Sequence, residues 1–189
     1  MLDYSSRPVE PAFESRRDGA DTLTEVLLGL RLDGVEYGRC LLQAPWAVAF
    51  PAQRAARFHF VARGGCWLRT PSTEWVQLHP GDAVLLPHGS FHILASAPDV
   101  PTVDIDSLAR VPVSENIYLV GGDLAADAGQ AAQADVMFCG AMRFNLDPLH
   151  PLVAMMPEVM RAGELVQRDP TVPALLEAMG REVALERIG

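Results

Sequence analysis

The sequence is short of cysteine, of basic charge and of long apolar runs. Its three cysteines, Cys40, Cys66 and Cys139, lie far apart and form no CxxC pair. This pattern argues against a secreted disulfide scaffold and predicts reduced thiols. The 15 Lys and Arg residues are outnumbered by 24 Asp and Glu, which gives a formal net charge of −9. Because DNA-binding surfaces are normally basic, residues 1–189 are expected to be a poor direct binder of DNA.

No apolar stretch reaches the ~20 residues that a membrane crossing needs. The longest runs, such as "AVLLP" and "LHPLVAMMPEVM", are much shorter, and the N-terminal "MLDYSSRPVEPAFESRR" lacks the apolar core of a signal peptide. We therefore expect a cytoplasmic protein with no membrane partner. A chain of 189 residues that is 49% hydrophobic is long enough to close one domain core.

The periodicity of the chain changes twice. Residues 1–20 show no period and predict a flexible tail. Thr22 and Glu25 have capping-box spacing before an amphipathic pattern, which predicts a short helix at the start of the segment 21–146. From residue 33 to about 96, short strand-like runs between Pro and Gly predict a mainly β sandwich or small barrel; the runs are "GVEYGRCLLQ", "WAVAFP", "RFHFVA", "CWLRT", "EWVQL", "AVLLP" and "FHILAS". The polar segments "APDVPTVDIDSLARVP" and "GGDLAADAGQAAQAD" are interpreted as loops, and "VMFCGAMRFN" as a late strand that returns to the same sheet.

Helical periodicity returns in residues 147–189. The segment "PLHPLVAMMPEVM" predicts a helix that Pro157 kinks or stops. A second helix, with Pro173 in its first turn, carries one apolar stripe, made of Val172, Leu175, Leu176, Met179 and Val183. Such a stripe either packs on the barrel of its own chain or pairs with its copy in a homodimer.

One segment, "PGDAVLLPHGSFH", holds the most specific chemistry. Pro80-Gly81-Asp82 and Pro87-His88-Gly89 are two tight turns that enclose a short apolar strand, and His92 begins the strand that follows. A lone histidine at that place is either a packed, hydrogen-bonded core residue or a ligand.

The spacing Gly81, Pro87, Gly89, His92 resembles the second conserved motif of the cupin superfamily, with Ser96 in place of the final Asn. In cupins that histidine is a metal ligand that points into the barrel. The first cupin motif is poorly matched by "RFHFVARGG", because its HxH pair and glutamate are missing and Arg57 stands at the glutamate position. His59 lies two residues further on the same face, which is the inward face in a cupin topology. Phe58 and Phe60 share the opposite face, so both faces of this strand must be covered.

A broader resemblance covers nearly the whole chain. "DTLTEVLLGLRL", "YGRCLLQAPWAVAFP", "RFHFVARGGCWLR", "LHPGDAVLLPHGSFHILAS", "YLVGG" and "VMFCGAMRF" followed by "HPLVAMMP" are similar, in order, to the N-terminal cupin domain of AraC-type bacterial transcription regulators. The resemblance implies a cupin-type double-stranded β-helix, or jelly-roll barrel, with a short N-terminal helix and C-terminal helices. It also implies a domain that senses a small molecule or an oxidant and dimerises. DNA would be bound only by a helix-turn-helix part beyond Gly189, so the chain is interpreted as a truncation or a single-domain protein.

The resemblance also assigns candidate site residues. His59, His92 and Cys139 match recurrent family positions, and two imidazoles with a thiolate suit zinc or another divalent transition metal. Cys40 and Cys139 are the redox candidates; the alternative for each cysteine is a small buried hydrophobic residue. The ligand-binding residues and the inducer stay unassigned. The competing hypotheses are a free-standing metal-dependent cupin enzyme, a dioxygenase or isomerase, which the missing carboxylate disfavours, and a plain oligomerisation module.

Overall fold

The chain folds into two packed β-sheets. The computed structural model describes residues 31–121, 133–146 and 150–162, together with residues 171, 174 and 178. Within these residues the strands are β1 Leu32–Leu42, β2 Ala47–Phe50, β3 Ala56–Arg63, β4 Cys66–Thr70, β5 Thr73–Leu78, β6 Ala83–Leu86, β7 His92–Ala95, β8 Val103–Asp104, β9 Arg110–Ser114, β10 Ile117–Val120, β11 Asp135–Phe144 and β12 Met160–Arg161. The mainly β prediction is therefore confirmed.

The two sheets enclose one apolar core. Over the described ranges, one sheet has the order β12-β6-β3-β11-β1-β10-β9 and the other β5-β4-β7-β2-β8. The facing sides of the sheets meet in a cluster of buried side chains that includes Phe50, Val61, Leu68, Leu86, Leu94 and Met137. Burying such side chains is the main favourable contribution to folding, so this layer between the sheets stabilises the domain.

The predicted strands between residues 33 and 96 are all present. The late strand β11 lies between β1 and β3, so it returns to the same sheet as predicted. The loop interpretation of residues 97–112 is wrong in part, because β8, a 3-10 turn at Ile105–Ser107 and the start of β9 lie there. Strand β8 pairs with β2 and β9 with β10. Pairing with another strand overrides a polar local composition, which periodicity alone cannot show.

Residues 150–161 are less helical than their periodicity predicts, whereas residues 171, 174 and 178 of the second predicted helix are helical. Helix α1 spans only Pro151–Ala154; Pro151 opens it, and the His150 side chain accepts a hydrogen bond from the Leu152 N–H. The chain then passes Pro157, and β12 pairs with β6 at the edge of the first sheet. Proline lacks the N–H that would continue a helix, which accounts for the early stop. The tail 1–20, the helix after Thr22 and the apolar stripe of Val172, Leu175, Leu176, Met179 and Val183 lie outside the described residues.

Candidate functional site

Two tight turns fix the position of His92. In the first, the Asp82 N–H donates to the His79 carbonyl at 2.9 Å, and Gly81 has a φ of 92°. In the second, the Gly89 N–H donates to the Leu86 carbonyl at 3.0 Å. Gly89 has a φ of 59°, and a Cβ there would collide with two backbone carbonyl groups of the preceding loop. Only glycine fits this turn, and the turn delivers His92 to the start of β7.

The end of β7 is joined to β2 by Ser96, which stands where the cupin motif has Asn. Its hydroxyl accepts a hydrogen bond from the Trp46 N–H at 2.9 Å and donates to the Trp46 carbonyl at 3.1 Å. The Ser96 N–H donates to the same carbonyl at 2.8 Å. A serine hydroxyl, both donor and acceptor, therefore meets the needs of the backbone at this position.

Strand β3 turns Arg57, His59 and Val61 toward the core. His59 and His92 are both 0% exposed. On the opposite face Phe60 is buried and Phe58 half-buried, so both faces of the strand are covered. The position of His59 inside the barrel is confirmed, and the phenylalanines did not prevent it because they pack on a covered outer face.

The structure brings the predicted metal and redox candidates together in a row. The His59 Nε2 lies 2.7 Å from the His92 Nε2, and the His59 Nδ1 lies 2.9 Å from the Cys139 Sγ. The Cys40 Sγ is 3.8 Å from the Cys139 Sγ. At the other end, the His92 Nδ1 lies 2.8 Å from the Ser90 carbonyl oxygen. The residues on this path are 33, 80 and 99 positions apart in the chain.

The carbonyl of Ser90 determines where the protons lie. A carbonyl only accepts, so the His92 Nδ1 carries a proton and, in a neutral ring, the His92 Nε2 accepts. The His59 Nε2–H then donates to it, which leaves the His59 Nδ1 to accept from the Cys139 thiol. The Cys40 thiol completes the row by donating to the Cys139 Sγ. Every group has a partner while no group is charged, as a buried polar network requires.

The surroundings keep this row neutral. Burial, followed by the nearby His92 and Arg57, lowers the pKa of His59 well below its ordinary value. Burial lowers the pKa of His92 to about 4. The contact with Cys40 and burial together raise the pKa of the Cys139 thiol well above its ordinary value. Phe50 adds an apolar wall, because its ring stacks on the His92 imidazole at 4.8 Å between centroids.

This row does not fit a three-ligand zinc site. Two nitrogens on one tetrahedral zinc ion lie about 3.3 Å apart, given Zn–N bonds of about 2.05 Å, whereas the two Nε2 atoms are 2.7 Å apart. Cys139 contacts the other nitrogen of His59, so the imidazole separates the thiol from His92. Among the described residues, no group of three or more His, Cys, Asp or Glu side chains is arranged to hold a metal ion. One ion can reach all three side chains only after the His59 ring turns.

Cys66 is separate from the redox candidates. It is buried in the apolar core on β4, and burial raises its pKa to about 12. The packing interpretation of a cysteine thus describes Cys66 well. Cys40 and Cys139 are also buried and free, but they are neighbours.

A cleft next to the row holds a residue whose role the sequence did not suggest. Arg57 is 8% exposed and lines this cleft with Phe50, Ile105, Tyr118, Val120 and both neighbouring thiols. In the sequence, Arg57 stands out only because it occupies the glutamate position of the first cupin motif. The available signal was a charged side chain two residues before His59 on the inward face of β3, which is unusual unless the charge is partnered or used.

A protein-family model described as "Cupin" matches residues 21–189. The chain belongs to the cupin family. Its two sheets and the inward His92 after the Gly81 and Gly89 turns are the cupin fold that the resemblance implied. No curated protein matches the cupin chain. Where the structure is described, no helix of this cupin is long and apolar enough to span a membrane.

Proposed function

We propose that this cupin is the signal-sensing and dimerisation domain of an AraC-type transcription regulator. It reaches DNA only through a helix-turn-helix part outside residues 1–189. The observation that carries the proposal is the match over residues 21–189 to the family of the N-terminal cupin domains of such regulators. The net charge of −9 supports the division of labour, because an acidic domain is a poor partner for phosphates.

The geometry of the barrel favours sensing over catalysis. The two inward histidines bind each other and have low pKa values, so they offer no free position for a substrate. Arg57 stands where the cupin motif has a carboxylate, and oxygen-activating iron sites use two histidines and a carboxylate. The proposal therefore assigns no enzymatic activity to the barrel, and a free-standing dioxygenase or isomerase is the weaker hypothesis.

A reporter fusion tests dimerisation and regulation directly. Residues 1–189 are fused to a helix-turn-helix DNA-binding domain that represses its operator only as a dimer. We expect repression close to that of the same domain fused to a leucine zipper, since cyclic two-fold dimers are the commonest assembly and fit paired half-sites. Repression no better than with the DNA-binding domain alone, together with a monomer mass by light scattering at tens of micromolar, would contradict the proposal.

Zinc binding by His59, His92 and Cys139 stays a prediction, and it requires the His59 imidazole to leave the row described above. Elemental analysis of untagged protein is the measurement. About one zinc per chain, lost in His92→Ala, would support a reoriented site. The absence of zinc, nickel and iron would leave the neutral row as the working arrangement.

Oxidation of Cys40 and Cys139 also stays a prediction. Their sulfurs are 3.8 Å apart, so hypochlorous acid can join the two thiols as a disulfide with release of chloride, a proton and water. The raised pKa of Cys139 slows the reaction, because the thiolate is the attacking form. Thiol counting in a Cys66→Ser background should show the loss of two thiols per chain. Survival of both thiols until the protein unfolds would exclude an oxidant signal at this pair.

A further inference from the structure

Arg57 is a buried charge with incomplete partners. Its Nη2 donates to the Gln53 Oε1 at 3.3 Å, and its guanidinium lies 5.4 Å from the centroid of the Phe50 ring. Its Nε is buried and has no acceptor among the described residues. A buried charged donor without an acceptor costs considerable free energy, so this site lacks a hydrogen-bond acceptor within the described ranges.

Gln53, next to Arg57, also has a buried side-chain donor without an acceptor among the residues that the structure describes. The Gln53 Oε1 is taken by Arg57, and the Gln53 Nε2 is also buried without an acceptor in the described part of the chain. Two neighbouring groups thus have donors to spare and lack acceptors. A cation or a donor-only ligand would add to this deficiency, whereas a group rich in acceptors would remove it.

A second arginine of the cleft provides an internal comparison. Arg110 donates from its Nη2 to Asp106 at 2.6 Å, and its Nη1 lies 3.7 Å from a Glu36 carboxylate oxygen. Arg57 forms no ion pair within the described residues, although the Glu36 charge is near enough to oppose the lowering of its pKa by burial. The cleft therefore presents one neutralised and one available guanidinium.

The rest of the lining is apolar or weakly polar. The cleft contains ≈ 350 Å³ of open space, including its mouth, and its inward side chains include Phe50, Ile105, Tyr118 and Val120. Gly38 also lines the cleft. A side chain at this position would fill the space next to Val120, because its Cβ would lie 3.3 Å from the Val120 side chain. Most of this space is the open mouth and the enclosed part is about 30 Å³, so only a small group of a ligand can be fully enclosed and its body would lie in the mouth.

We propose that this cleft binds a small organic carboxylate with an apolar body, whose carboxylate pairs with the guanidinium of Arg57. The inference rests on the proposed sensing function and names the chemical class of the signal. A planar carboxylate matches the fork of a guanidinium and supplies the missing acceptor. The apolar walls hold the hydrocarbon part and disfavour a small, strongly hydrated anion such as phosphate.

Calorimetric titration of the whole chain at pH 7 tests the inference. The probes are hexanoate and phenylacetate, each paired with its uncharged amide, and inorganic phosphate. We expect at least one acid to bind and its amide to bind at least about tenfold more weakly, because a hydrogen bond to a charged group is worth about 1.5–3 kcal/mol. The absence of binding by both acids, equal binding of acid and amide, or phosphate binding as tightly as the acids would overturn the inference.

Variants locate the binding at Arg57. Arg57→Gln should weaken the acid at least about tenfold, while Arg110→Gln, at the already neutralised arginine, should change it less than about threefold. Gln53→Glu keeps Arg57 and the shape of residue 53 but places a carboxylate next to Arg57. It should therefore weaken binding of the acid as much as Arg57→Gln does, without unfolding the domain. Parent-like affinity in both Arg57→Gln and Gln53→Glu would overturn the assignment. These titrations need neither dimerisation nor DNA, so they can succeed or fail independently of the reporter fusion.

Discussion

Arg57 and His59 lie two residues apart on the same face of β3 and are both buried, yet they differ in how far their polar atoms are satisfied. His59 is neutral, and both of its ring nitrogens have partners at 2.7 and 2.9 Å. Arg57 has one side-chain acceptor at 3.3 Å and a buried Nε without one among the described residues. Polar groups that serve only the fold are normally satisfied within it. The contrast separates a structural residue from one that is available to a ligand.

The partners of the two residues explain the contrast. His59 lies opposite Cys139 in the β3–β11 register and faces His92 from the other sheet, so rigid strands supply both acceptor and donor. Arg57 depends on Gln53, which belongs to the loop between β2 and β3, and on charges at the rim of the cleft. A side chain held by strands is fixed, whereas one held by a loop can exchange partners.

The largest change in the free energy of unfolding is expected when the buried row of His59 and His92 is disrupted. His92→Ala deletes an imidazole that is 0% exposed and stacked on Phe50, and it leaves the His59 Nε2–H without an acceptor. We expect the free energy of unfolding to fall by about 4 kcal/mol, as for a buried aromatic ring. Denaturant unfolding measures this change. His79→Ala, at a histidine with a 67% exposed side chain, should cost less than about 0.5 kcal/mol; equal losses in the two variants would contradict the assigned role of the row.

A second test uses pH on the metal-free protein. The pKa of His92 is about 4 in the folded chain and 6.5 without burial. Between these values the unfolded chain binds more protons, so stability is complete above about pH 6.5 and is lost as the pH falls toward 4. The loss amounts to about 3 kcal/mol for this residue alone, and His59 acts in the same direction. Unfolding curves in a chelating buffer measure it; His92→Asn should flatten the profile, and a flat parent profile over this range would show that the row is not neutral.

The smallest effect is expected on the Arg57 side. Arg57→Met keeps an unbranched side chain as far as the ε position, removes a buried charge and loses one long hydrogen bond and a cation–π contact. Replacing an incompletely partnered buried charge by an apolar side chain is often neutral or stabilising. The free energy of unfolding should therefore stay within about 1 kcal/mol of the parent value or rise. A loss of more than about 2 kcal/mol would make Arg57 as structural as His92 and remove the contrast between them.

The local parts of this fold could be predicted from short stretches of sequence. Short strand-like runs bounded by Pro and Gly located the strands from β1 to β7. The spacing of Gly81, Gly89 and His92 located the turns and the inward histidine. Local patterns did not predict β8, β9, β10 and β12, which are formed through pairing: β8 with β2, β9 with β10, β10 with β1 and β12 with β6. Short edge strands carry little periodicity of their own, so their existence depends on a neighbour.

The sequence by itself determined which residues could form the turns, the strands and the inward positions, because backbone sterics and alternation act between consecutive residues. The resemblance to a family also named His59, His92, Cys139 and Cys40, which lie together in the structure. Only the tertiary structure decided that they form a neutral row and that Arg57 keeps an unused donor. Those outcomes depend on distances between atoms that are up to 99 residues apart in the chain, and such distances are set by sheet register and packing.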